Sequence, residues 1–451
     1  MITLQKALPT ILKRIANNIE IILASLIIFV APLVVNYNDL PKGYEIPKVV
    51  FFQISTLILF AIFLSRTVFS FTNSKPLRLE KSLVVLIITI VLIIISSLVS
   101  PFSNGFDIES LKSNISLVGN SFRLQGAYTH VLMAIFAYII YKRANRKNVG
   151  LIFVALFLSS LIQAGVSFGQ LSYFIKVDPK VIFEGYYING TFGQANFYSG
   201  RIMLGILSAI FLTTIAGNFI SRFKKFKIAL NIIVFALLPI STIFLIVGLF
   251  ISFSTWGIIS SILLVFLLIL YEISVLKKFK KYHFGYLFGV IFSIGLITGA
   301  MFLAKQYYDN VENFRLLIWQ KIFEISKKSP VQNIIFGFGF DTLGEVFKIF
   351  GEFKGLYVDR AHNFFLDIYS QAGLLSLVGF LGLYVLSALK FVFNKSSRTL
   401  TYLFIGCIVW IFRSFVHESG IVNLYDFLIL FAATLALQRD FSIGFIKVAK
   451  K

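Results

Sequence analysis

Residues 82–99 read SLVVLIITIVLIIISSLV, a run with no charged side chain. As a helix rising ~1.5 Å per residue it covers nearly all of the ~30 Å hydrocarbon core of a bilayer. The residues around it repeat the theme. Ile19–Val35 and Tyr286–Leu303 are apolar over similar lengths, the 451-residue chain is 58% hydrophobic, and only 14% of it is charged. Soluble domains carry roughly a quarter charged residues, and the mean hydropathy of +0.87 lies far outside their range. The sequence therefore predicts an all-α integral membrane protein.

Candidate spans fall at 19–36, 48–71, 82–100, 127–141, 149–173, 197–216, 228–249, 256–275, 284–303, 364–393, 400–416 and 424–437, about twelve helices in a single polytopic domain over 1–451. The first apolar stretch follows a basic segment and has no small-residue cleavage site, so it reads as a span and not as a signal peptide. The net charge of +22 could suggest nucleic acid, but its placement argues otherwise. Alternate connections are short and basic: 72–81, 142–148, 218–227, 275–283 and 390–399, together with both ends of the chain. By the positive-inside rule these lie in the cytoplasm, with both termini. The basic excess is a topology signal: the expected setting is a membrane whose inner face meets the cytoplasm, and no nucleic-acid partner is expected. The single cysteine, Cys407, sits inside a span, so neither an internal disulfide nor a cysteine metal site is expected.

This topology puts four connections on the outer face: 101–126, 174–196, 304–361 and 417–423. The longest, 304–361, has the length of a functional element. Within it Phe314, Ile318, Ile322 and Ile325 recur at helical spacing, with Glu312, Arg315, Lys321, Glu324 and Lys328 largely on other faces. An amphipathic helix over 311–329 follows, lying on the membrane or capping a cavity, and Pro330 ends it. Gly337 and Gly339 then permit a tight backbone path.

The chemistry-bearing residues cluster where that loop re-enters the membrane. YVDRAHNFFLDIYSQAG, 357–373, places Asp359, Arg360, His362, Asn363 and Asp367 at the mouth of an apolar run. Helix capping and headgroup anchoring account for such residues singly. Their combination points further. Imidazole accepts a proton near neutral pH, and guanidinium binds phosphate oxygens in pairs. Arg123, Arg201 and Arg315 lie on the same side, and four arginines with a histidine suit a shared anionic ligand. Trp319 follows Arg315 by one turn. His130 reads as packed, and His417 and Glu418 are weaker outer-face candidates. GTFGQANF and FGFGF follow no strand of a βαβ unit, which excludes the nucleotide reading of their glycines.

These pieces, in order, resemble the bacterial O-antigen ligase and polymerase superfamily, which includes pilin O-oligosaccharyltransferases. VDRAHNFFLDIYSQAGLLSLVGF is similar to the family's His-Asn segment. RLLIW with FGFGFDTLGEVF is similar to its arginine-to-tryptophan helix and glycine pair. GTFGQANFYSG, with Asn196, and GNSFRLQG resemble two further segments. Many relatives carry a serine-arginine pair where this chain reads SFSTWGIIS, so the arginine position is Thr255.

The resemblance implies a GT-C-like fold of twelve helices whose active face is extracytoplasmic, using neither metal ion nor nucleotide sugar nor other cofactor. It implies glycan transfer from undecaprenyl diphosphate to an acceptor hydroxyl on a glycan, a lipid A core or a protein. His362, Asn363 and Asp367 would form the catalytic group, and Arg360, Arg315, Arg123 and Arg201 would bind the donor diphosphate. Trp319, Asn196, Gly337 and Gly339 are further candidates. The rival class is a transporter or flippase of lipid-linked or anionic substrates. It would gather polar groups near the membrane midplane, whereas here they gather at one face.

Overall fold

The computed structural model describes residues 2–39, 42–71, 81–101, 115–121, 123–177, 188–220, 236–275, 311–353, 358–393, 397–415 and 421–448. The span expected at 284–303, and His417 and Glu418, lie outside them.

Among the described residues the regular structure is entirely helical. In chain order the helices are α1 (Ile2–Val30), α2 (Ile46–Phe71), α3 (Lys81–Val99), α4 (Ile115–Val118), α5 (Ala127–Arg143), α6 (Val149–Val177), α7 (Ala195–Ile220) and α8 (Leu238–Ile251). They continue with α9 (Thr255–Val275), α10 (Val311–Lys328), α11 (Val331–Phe336), α12 (Leu343–Ile349), α13 (Phe364–Phe393), α14 (Arg398–Ser414) and α15 (Ile421–Val448). Among the described residues, seven helical stretches are long and apolar enough to cross a membrane: Ile15–Leu33, Lys42–Phe69, Lys81–Val99, Val149–Val177, Ala195–Ile215, Thr255–Ile273 and Phe364–Leu389. α8 is apolar but shorter. The chain is a multi-pass membrane protein.

Composition sorts the helices into inner and outer positions. α7 is the most enclosed span and packs against α6, α8, α9, α14 and α15. It accordingly carries small or polar residues such as Ser199, Gly200, Arg201, Gly205 and Ser208 on the inside. α3 and α13 are the reverse. Little of either is buried, and Val378, Val385 and Leu386 turn outward, as suits side chains that meet lipid.

A second, smaller core lies outside the bundle. Ile318, Ile322 and Ile325 of α10 pack with Phe338, Leu343, Val346, Phe347, Val358 and Ala361. The apolar stripe of α10 thus covers the segment that leads into α13, while Glu324 on another face is exposed.

α13 is broken at Gly373, whose φ of 80° is outside the helical region. The break leaves the Ser370 and Gln371 carbonyls without their helical donors. The glycine pair supplies replacements: Phe338 N–H donates to Ser370 O at 2.7 Å and Gly339 N–H to Gln371 O at 3.0 Å. Backbone approaches backbone here, and a Cβ at Gly337 would overlap Gln371. Gly337 and Gly339, at φ of 83° and 98°, adopt a conformation that side chains resist.

Candidate active site

The turn before α13 carries the histidine. Asn363 caps the helix: its Oδ1 accepts from Phe365 N–H at 3.0 Å and Leu366 N–H at 3.1 Å, while its Nδ2 donates to Phe415 O at 3.0 Å. Ala361 is held from two sides. Its N–H donates to Asp367 Oδ1 at 2.8 Å, and its carbonyl accepts from Trp319 Nε1 at 2.8 Å. His362, between these fixed neighbours, is half-buried and has a φ of 52°. A left-handed non-glycine residue costs about 1–3 kcal/mol, so its surroundings impose that conformation. α10, the turn and the first part of α13 therefore orient one imidazole together.

Arg360 and Arg123 belong to a buried ionic network centred on Asp341. Arg360 and Asp341 are both fully buried and pair through Nη2 and Oδ1 at 3.0 Å. The same Nη2 donates to Gln125 Oε1 at 2.8 Å. Asp341 also accepts from Asn120 N–H at 2.8 Å, Asn120 Nδ2 at 3.1 Å and Gln125 N–H at 3.2 Å. Burial pushes the Asp341 carboxyl above its usual range, against the pull of Arg360 and these amide donors. Arg123 bridges outward, from Nη1 to Glu45 at 2.8 Å and from Nε to Asp359 at 2.7 Å. One network thus ties the loop before α5, the glycine turn and the His362 turn into a unit.

Among the described residues, Arg360 keeps two N–H groups, at Nε and Nη1, with no hydrogen-bond partner. Arg315 is half-buried on α10, one turn before Trp319. Arg201 stands elsewhere, inside the bundle, with every guanidinium nitrogen engaged. Nε donates to Ser159 Oγ at 3.1 Å, Nη2 to Ile28 O at 2.7 Å, and Nη1 pairs with Asp426. Asn196 lies in that second region too, its Oδ1 accepting from Ser254 Oγ at 2.7 Å. His130 packs its ring on Phe340, 4.2 Å between centroids.

The structure therefore joins Trp319, Ala361, His362, Asn363 and Asp367, and beside them Arg123, Arg360, Gly337 and Gly339. It sets Arg201 and Asn196 in another cluster. Asp341, Glu45, Asn120 and Gln125 are participants that sequence reasoning missed. A carboxylate directly after GFGF was the one available signal.

With this geometry, residues 240–381 match the family described as O-antigen ligase. The match covers 142 of the 451 residues. The match supports the O-antigen ligase and polymerase superfamily for the chain, and it spans α8 to the first part of α13, including the glycine turn and the His362 turn. A comparison with curated proteins finds no match. The O-antigen ligase relationship, with the apolar helices, supports a membrane enzyme that transfers glycans, with a lipid-linked glycan and an acceptor as its partners.

Proposed function

We propose that the protein moves an assembled glycan from undecaprenyl diphosphate to an acceptor hydroxyl on the extracytoplasmic side of the cytoplasmic membrane. The observation that carries this reading is the His362 turn: a histidine in an unfavourable backbone conformation, braced on both sides, beside a buried arginine with two unused donors. Such strain at a braced polar residue is a mark of a functional site.

In this reading the acceptor oxygen attacks the sugar's anomeric carbon as the bond from that carbon to the diphosphate oxygen breaks. His362 takes the hydroxyl proton, a contribution typically worth ~10²–10⁴-fold. Undecaprenyl diphosphate leaves with the bonding electrons, and guanidinium donors stabilise the charge that develops on it. Arg360 and Arg315 fill that role. Arg123, engaged by Glu45 and Asp359, positions the loop beside them. Arg201 is saturated by the protein's own acceptors, which supports a bracing role within the bundle.

The test compares glycan transfer by wild type and His362→Ala at equal expression, in membranes supplied with the native undecaprenyl-diphosphate glycans. Loss of product in the variant supports the assignment, and the product's mass identifies the acceptor. Unchanged product removes His362 from the chemistry. Absence of product with either protein sends the question to transport assays.

A further inference from the structure

The end of the bundle away from the His362 turn carries charges of its own. α5 starts beside the Arg123 network and rises ~24 Å from Ala127 to Arg143. There Arg143 meets Glu20 of α1 and Arg66 of α2. Both arginines pair with this one carboxylate, Arg66 through Nη1 and Arg143 through Nε at 3.3 Å. Among the described residues no other carboxylate pairs with either, so two guanidiniums against one carboxylate leave one positive charge. The Glu20 side chain is 2% exposed, whereas those of Arg66 and Arg143 are 36% and 35% exposed. Arg143 is loosely held. Its Nε approaches Glu20 without a hydrogen bond, and its Nη2 reaches Thr67 Oγ1 only at 3.4 Å. The guanidinium lies over the Phe63 ring, 4.9 Å from its centre.

The surroundings add both charge and hydrocarbon. Arg439 of α15 donates to the carbonyls of Tyr141, Lys142 and Ala144, which brings another cation to the same end. Arg146 and Lys147, in the link to α6, are exposed. Over the turns that lead to Arg66, α2 exposes Ile54, Leu57, Ile58 and Leu64, as suits a helix that meets lipid chains.

We propose that Arg66 and Arg143, flanked by the basic link to α6, hold the headgroup phosphate of an anionic phospholipid whose acyl chains lie along α2. A phosphodiester carries one negative charge, which matches the surplus of the trio, and guanidinium binds phosphate oxygens in pairs. Basic sites between membrane helices take such headgroups. Diffuse attraction of acidic lipid to a positive surface would need only exposed residues such as Arg146 and Lys147. It does not account for two half-buried arginines gathered on a single buried carboxylate, where a one-to-one pairing would already be neutral. The site lies at the far end of α5 from His362, and it stands independently of the reaction proposed above.

The experiment titrates phosphatidylglycerol against phosphatidylcholine of the same chain length on the purified, detergent-solubilised protein, with bound lipids counted by native mass spectrometry. It compares wild type, Glu20→Gln, Lys147→Gln, and a triple variant that joins Glu20→Gln to Arg66→Gln and Arg143→Gln. Wild type should prefer phosphatidylglycerol, and the triple variant should lose about 10-fold or more of that preference. Glu20→Gln removes the competing anion and keeps both arginines, so it should strengthen the preference. It decides the matter if the triple variant does not fold. Lys147→Gln lowers the net charge by the same single unit as the triple variant, at an exposed position, and should weaken the preference less. Equal losses in those two proteins mean diffuse attraction and overturn the site. So does an unchanged preference in the triple variant, or a weakened one in Glu20→Gln. Displacement of the lipid by glycerol phosphate, a chain-free analogue, would overturn the choice of a lipid as the occupant.

Discussion

Asp341 gives the sharpest residue-scale expectation, because it holds the network together at an electrostatic cost. Its carboxyl titrates above the ordinary 3.8 because burial penalises the charged form. The sign follows from linkage: a carboxyl raised in the folded state contributes stability below its unfolded pKa and loses it as pH rises through the folded value. Asparagine removes that titration. The stability of wild type relative to Asp341→Asn should therefore decline with rising pH from about 4 upward, as read from thermal unfolding at a series of pH values. A difference that grows with pH would mean that Arg360 outweighs desolvation. Transfer should fall in Asp341→Asn at every pH, because the glycine turn and the His362 turn lose a common anchor.

Trp319 permits a second test at this scale. Trp319→Phe keeps an aromatic ring, though a smaller one, and removes the donor to Ala361 O, leaving a buried carbonyl short of a partner at a cost of about 1–3 kcal/mol. Transfer should drop further than stability alone explains, with the loss in kcat and not in KM, if that bond sets the His362 orientation. The residues of this site were legible in proportion to their closeness in sequence. Arg360, His362, Asn363 and Asp367 fall in one short stretch, and local spacing displays them. Asp341 bonds Asn120 across 221 positions, and Glu45 meets Arg123 across 78. No local pattern encodes such pairs. The surroundings of Arg201 were hidden for the same reason: a charge inside a span signals a special environment, and only the fold reveals that Asp426, Ser159 and Ile28 pair with it.

At the scale of elements, the break in α13 decides whether the site can assemble. Gly373→Ala places a side chain at φ of 80°, and its Cβ would overlap the Ile335 carbonyl oxygen. Strain of this kind costs roughly 1–3 kcal/mol. The alternative, an α13 straightened through residue 373, reclaims the Ser370 and Gln371 carbonyls and evicts Phe338 and Gly339 from them. Either route should lower the melting temperature and reduce transfer, whereas Gly379→Ala, six residues on with open space around it, should change neither. Equal effects at both positions would refute the docking role of the break. The apolar stripe of α10 was visible as Ile318, Ile322 and Ile325 because helical periodicity is local. What that stripe covers was not visible, since Val346, Phe347 and Val358 belong to segments whose fold-back the sequence does not announce.

Across the whole molecule, the orientation in the bilayer is the premise on which the proposed donor depends. The positive-inside rule, applied to the basic alternate connections, leads us to expect α10 outside and the link between α5 and α6 inside. The polar contacts agree with one another: the His362 turn, Ser254, Asn196 and the end of α14 meet at one end of the bundle. A lipid-linked donor reaches that end through the membrane. The chain supplies its own background for labelling, because its sole cysteine, Cys407, is buried. Glu324→Cys on exposed α10 should react with a membrane-impermeant maleimide in intact spheroplasts, and Lys147→Cys, exposed on the opposite connection, only after lysis. The reverse pattern would put the histidine turn in the cytoplasm, where nucleotide sugars are available, and the polyprenyl donor would lose its main argument. Labelling of both in intact spheroplasts would break the alternation itself, and with it the reading of the basic connections as cytoplasmic.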